Sequence, residues 1–251
     1  MNNRMDGLAD VLVLSTLAGL ATGLGGLIAV VRRPGKKLLG FSMGFAAGVM
    51  ITLSFLQLMA TALEMAGLLL ALFGFVFGSL LIFSLDFVLP HTYSSVQEKG
   101  KIDSRFFRSS MLIAIGISLH NFPEGIAVAS GYSYLPKLGL VIAIAMAIHN
   151  VPEGAAISLP AYMGGASRSK AFGLALVSGL AEPLGALVAS LFLESFHSLV
   201  PLGLAFASGV MVFITLDELI PVAHKDGHEH LTSLGMILGC SSTFVLLGVL
   251  Q

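Results

Sequence analysis

HNFPEGIAVASGYSYLPKLGLVIAIAMAIHNVPEG, residues 120–154, contains one six-residue phrase twice: His120-Asn121-Phe122-Pro123-Glu124-Gly125 and His149-Asn150-Val151-Pro152-Glu153-Gly154. Each copy lies near the middle of an apolar run, about residues 107–131 and 138–161. Runs of that length suit bilayer-spanning helices, which need about 20 mostly apolar residues. Neighbouring spans cross in opposite directions, so the two copies are oppositely oriented. That is the signature of an inverted repeat, with a site expected near the membrane midplane.

The rest of the chain agrees. Of its 251 residues, 56% are hydrophobic and only 11% charged, too few charges to cover a water-soluble globule of this size. Its 29 glycines suit close helix packing in a membrane. Apolar runs give eight expected spans: 8–31, 38–60, 67–90, 107–131, 138–161, 171–194, 200–222 and 231–250. The first is too long for the core of a signal peptide and lacks a clear cleavage site, so it is expected to stay in place. No separator is long enough for a soluble domain, so residues 1–251 read as a single transmembrane domain. Net charge is −1, and nothing points to nucleic acid. The lone Cys240 excludes an intramolecular disulfide.

With eight spans both termini share one side. The four loops opposite hold 11 of the 13 Lys and Arg, leaving only Arg4 and Lys137 on the side of the termini. The positive-inside rule places those basic loops in the cytoplasm and both termini outside. A second repeat pairs Phe45-Ala46-Ala47-Gly48-Val49-Met50 with Phe206-Ala207-Ser208-Gly209-Val210-Met211, again in oppositely directed spans.

Residues four apart share a helix face. His120 and Glu124 are so spaced, as are His149 and Glu153. Ionisable groups at mid-membrane are costly and mark a site or pathway. If the two antiparallel helices meet, imidazole and carboxylate surround one point, a ligand set suited to zinc and tolerable for iron, manganese, cobalt or cadmium. Pro123 and Pro152 cannot donate to the carbonyls of Leu119 and Ile148, so each helix is expected to kink beside its histidine. Asn121 and Asn150 offer further oxygens. Glu182, followed by Pro183, repeats a mid-span carboxylate beside a proline and reads as a ligand at a second adjacent position.

Met50, Gln57 and Glu64 form a one-sided series along the second span. Met211 and Glu218 take matching places on the seventh, with Asp217 and His224 nearby. The first series is expected to serve metal entry and the second exit, although Glu64 and His224 read equally as solvated helix ends. The His224–His230 tract, Asp86 and His91 are open in the same way. The pairs Gly19/Gly23, Gly44/Gly48, Gly74/Gly78 and Gly235/Gly239 read as close helix packing.

Both His-Asn-x-Pro-Glu-Gly motifs, with Ala181-Glu182-Pro183-Leu184-Gly185, resemble the ZIP family of zinc-regulated, iron-regulated transporter-like proteins, most of all its bacterial, ZupT-like zinc-uptake branch. The resemblance spans the whole chain. It implies an all-α integral membrane protein with eight helices in a three-plus-two-plus-three arrangement with inverted repeats. It also implies uptake of divalent metal into the cytoplasm through the inner membrane, without ATP hydrolysis. His120, Glu124, His149 and Glu153 would form the first metal position. Asn121, Asn150 and Glu182, sharing Glu124 and Glu153, would form the second of a binuclear centre. Some relatives carry an acid where this chain has Asn150. The long His-rich loop of eukaryotic relatives is absent. No cofactor is implied, the metal being cargo; the partners are divalent ions and the lipid bilayer, with a homodimer left open. Two other readings are weighed: an intramembrane zinc-dependent hydrolase, for which the His-Glu-x-x-His string is missing, and a proton-coupled transporter of another solute.

Overall fold

The computed structural model describes residues 2–88, 104–224 and 229–250. His91 and residues 225–228 of the His224–His230 tract lie outside them, as does the side chain of Asp86. No strand occurs among the described residues. The chain runs through α1 (Asn2–Arg32), α2 (Lys36–Leu53), α3 (Ala60–Val88), α4 (Ser104–Tyr134), α5 (Pro136–Met163), α6 (Arg168–Gly179), α7 (Ala181–Ser195), α8 (Val200–Ile214), α9 (Ile220–His224) and α10 (Glu229–Leu250).

Six described helical stretches are long and apolar enough to cross a membrane: Gly7–Arg32, Lys36–Leu85, Pro136–Met163, Arg168–Leu193, His197–His224 and Glu229–Val249. Large apolar side chains cover their outward faces. Leu69 is 84% exposed and Val249 75%, which only a hydrocarbon solvent makes favourable. The chain is therefore an all-helical integral membrane protein.

Lys36–Leu85 has 50 residues, which as one straight helix would reach about 75 Å, more than twice a bilayer core. It bends instead at Gly67, whose φ of 73° and ψ of 176° suit glycine alone. A Cβ there would meet nothing within 4 Å, so the requirement is purely conformational. Gly67→Ala is expected to cost about 1–3 kcal/mol, read as a thermal midpoint in detergent lowered by roughly 2–10 °C. An unchanged midpoint would show that residue 67 does not need this conformation.

A single residue, Leu135, joins α4 to α5. It precedes a proline and is extended (φ −151°, ψ 122°), while Pro136 opens the next helix with the φ a first turn needs. So short a connection makes α4 and α5 antiparallel neighbours, as the paired motifs require.

The expected single helix at 171–194 is divided. α6 starts at Ser167, whose side chain accepts from the Lys170 amide, and stops at Leu180 before α7. Pro183 has no N–H for the Gly179 carbonyl, which accounts for the break. By contrast, helical backbone continues through Pro123 and Pro152.

Two π-helical segments, Ser54–Met59 and Thr215–Leu219, interrupt the spans expected at 38–60 and 200–222. Their positions are related. Shifting residue numbers by 161 carries Ser54 onto Thr215, Met50 onto Met211 and Gly48 onto Gly209. The same shift carries Gly78 onto Gly239. Packing follows this correspondence: α2 lies mainly on α10, and α8 on α3. Gly48 abuts the Met236 carbonyl, and Gly209 the carbonyl of Phe75, the residue that maps onto Met236. All four small-residue pairs lie where another helix approaches closely.

In the other half α1 packs on α5, and α4 on α7. A shift of 160 carries Gly19 onto Gly179, which touch one another, and Gly25 onto Gly185. Gly25 abuts the Val151 carbonyl and Gly185 that of Phe122, matching positions in the two motifs.

Candidate metal centre

Four-residue spacing turns Glu124 of α4 and both His149 and Glu153 of α5 into the space between these helices. All three are buried. One ligand atom from each lies within 4.8 Å of the others. His149 Nε2 is 3.1 Å from Glu124 Oε1, and its Nδ1 is 3.0 Å from the Ala145 carbonyl. That carbonyl accepts a hydrogen bond from Nδ1–H, which turns the Nε2 lone pair toward Glu124 and the space a cation would fill.

Two carboxylates this close, 1% and 2% exposed, repel each other where water does not screen them. Glu124 Oε2 and Glu153 Oε2 are buried without a hydrogen-bond partner. So are Asn121 Oδ1, Asn150 Oδ1 and Glu182 Oε1. Buried acceptors are normally satisfied. Five orphaned oxygens from expected ligands, beside an imidazole, form a donor set that fits a divalent transition ion.

Glu182, at the start of α7, is fully buried. Asn150 Nδ2 donates to its Oε2 at 2.9 Å and to the Ala18 carbonyl at 3.0 Å. Asn121 Nδ2 donates to the Ser178 carbonyl at 3.0 Å. Both amides are thus oriented by their nitrogens, with their oxygens left over.

His120 stands apart from the compact trio. It is 5% exposed, and its Nε2 is 3.6 Å from Glu218 Oε1. Glu218 belongs to the second π segment, so the sequence-expected exit residue reaches the first motif. Met50 and Met211 are wholly buried, and Thr215 Oγ1 lies 3.7 Å from Met50 Sδ and donates to the Met211 carbonyl. Gln57 is partly buried, with Nε2 3.4 Å from Thr61 Oγ1. Glu64 and Asp217 are exposed. His224 is partly buried, its Nδ1 2.9 Å from the Ile220 carbonyl.

The motif reading overlooked Thr22 and Ser178, both buried, both with unpartnered hydroxyls. The shift of 160 was the available signal: it carries Thr22 onto Glu182.

The sequence also matches known proteins. The family profile described as "ZIP Zinc transporter" matches residues 95–247. The "Zinc transporter ZupT" of Akkermansia muciniphila is 42% identical, the match covering 95% of this chain and 97% of the relative. That of Chlorobium luteolum is 41% identical over 94% and 96%. That of Streptococcus mutans is 40% identical over 90% and 92%. Identity at that level along nearly the whole chain, together with the profile match, leaves one conclusion: the chain belongs to the ZIP family.

Proposed function

We propose that this protein carries zinc into the cytoplasm, with iron, manganese, cobalt and cadmium as further cargo, through a midplane site built by α4, α5 and α7. The buried Glu124–His149–Glu153 trio with its unpartnered oxygens carries this reading. ZIP-family zinc transporters are transporters and not enzymes, and the relatives named above are described as zinc transporters.

In this reading residues 1–251 are one transmembrane domain crossing the inner membrane eight times in a three-plus-two-plus-three arrangement. Both termini lie outside. The bend at Gly67 supports counting Lys36–Leu85 as two crossings, and the 161- and 160-residue correspondences support two inverted halves.

Glu124, His149 and Glu153 hold the first ion, with His120 completing its surroundings. Asn121, Asn150 and Glu182, sharing the two motif carboxylates, hold a second. Each ion neutralises carboxylates that otherwise repel, which offsets its own dehydration. Met50, Gln57 and Glu64 line the way in, whereas Met211, Asp217, Glu218 and His224 line the way out. The His120–Glu218 approach supports the cytoplasmic, exit end of that path, since it gives a departing ion an imidazole and a carboxylate together. Passage needs one half to move against the other, in the alternating-access manner of inverted repeats.

Purified protein in liposomes should admit zinc or cadmium down a gradient, followed with an entrapped indicator. Joint replacement of His120 and Glu153 by alanine should remove that entry. Liposomes that stay impermeable to both metals with the wild-type protein would overturn the proposal.

A further inference from the structure

The amide groups of the two motifs are held alike, while the residues one turn further on differ. Asn150 donates to the Ala18 carbonyl and Asn121 to that of Ser178, and Ala18 corresponds to Ser178 under the shift of 160. One turn beyond Ala18 stands Thr22, and one turn beyond Ser178 stands Glu182. Their backbones meet the motifs in the same manner. A Cβ on Gly154 would collide with the Thr22 carbonyl, and a Cβ on Gly125 with the Glu182 carbonyl. Thr22 therefore occupies in α1 the place that Glu182 occupies in α7.

Its hydroxyl is unusual. Thr22 is wholly buried and Oγ1 has no hydrogen-bond partner. A buried helical threonine ordinarily donates to the carbonyl four residues earlier. Here that carbonyl, of Ala18, already accepts from Asn150, a residue that also touches Glu182. Helical side chains lean toward the N-terminus, so Thr22 leans back toward the level of Ala18 and Gly19, where α1 meets Gly179.

We propose that Thr22 is a metal-site residue: its hydroxyl faces Glu182 across the pseudo-two-fold and supplies a neutral oxygen to the second ion. This rests on the transport reading above. The charge balance gives neutrality a purpose. Glu124, Glu153 and Glu182 bring three negative charges against the four positive charges of two divalent ions. A fourth carboxylate would complete neutralisation and hold the second ion too firmly to pass on. A hydroxyl ligates without adding charge.

The test is a cadmium titration of the purified full-length protein by calorimetry, with bound metal counted by mass spectrometry. Wild type should bind two ions. Thr22→Val, which keeps the shape and removes the oxygen, should weaken the second ion by about 10-fold or more and leave the first unchanged. Thr22→Ser should restore the second, and Thr22→Glu should tighten it while slowing cadmium entry into liposomes. Unchanged affinity for the first ion confirms that a variant is folded; should Thr22→Val not fold, Thr22→Ala carries the same comparison. Wild-type affinity for both ions in the variant that lacks the hydroxyl would overturn the proposal, as would a wild type that binds one ion. A wild type that binds no cadmium would overturn the transport reading itself.

Discussion

Glu124→Gln is expected to slow zinc and cadmium entry into liposomes at least about 100-fold, with the protein still folded. The reason is local. Glu124 Oε1 is 3.1 Å from His149 Nε2, and its Oε2 is buried with no partner. Glutamine keeps the side chain's length and its reach to the imidazole, so packing between α4 and α5 survives. What disappears is the charge that compensates a dehydrated cation. Without metal, the variant should melt no lower than wild type, because one of two mutually repelling carboxylates has gone. The readouts are initial uptake rate and thermal midpoint from the same preparation. Uptake within twofold of wild type would place the ion's path elsewhere.

Gly154→Val is expected to prevent assembly of the protein, or to lower its thermal midpoint by more than about 10 °C. Overpacking a core costs about 1–3 kcal/mol when side chains can give way. Here they cannot, because the atom in the way is the Thr22 carbonyl, part of the α1 backbone. To make room, α1 would have to lift from α5, its main partner, and Asn150 would lose its bond to Ala18. Gly173→Val is the matched control, since a Cβ at that position meets nothing within 4 Å. Size-exclusion profiles and melts of the two variants should separate clearly; equal behaviour would mean that the α1–α5 approach is looser than described.

Much of the fold could be read from the chain because bilayer thickness leaves few options for apolar runs of this length. The face shared by His149 and Glu153 followed from helical spacing, and the antiparallel approach of Glu124 from the opposite crossing of neighbouring spans. What could not be read depends on contacts between distant segments. The first π segment exposes a carbonyl, and Ser208, 154 residues away, donates to it at 2.9 Å. No local pattern announces that. Pro123 and Pro152 both lie inside continuous helix. Close contacts on either side brace them, with Phe122 against Gly185 and Val151 against Gly25. His120 and His149 look equivalent in sequence, but the structure gives one an acidic partner from α4 and the other from the second π segment. The residue corresponding to Glu218 is Gln57, so the two π segments differ by a carboxylate against an amide.

The fixed numerical offset between α2 and α8 gives each packing position a twin of like local design in a different setting. A methyl group added at Gly48 presses on the Met236 carbonyl, and one added at Gly209 presses on Phe75. Any gap between the two outcomes reports what surroundings alone contribute, so this molecule serves as its own reference specimen.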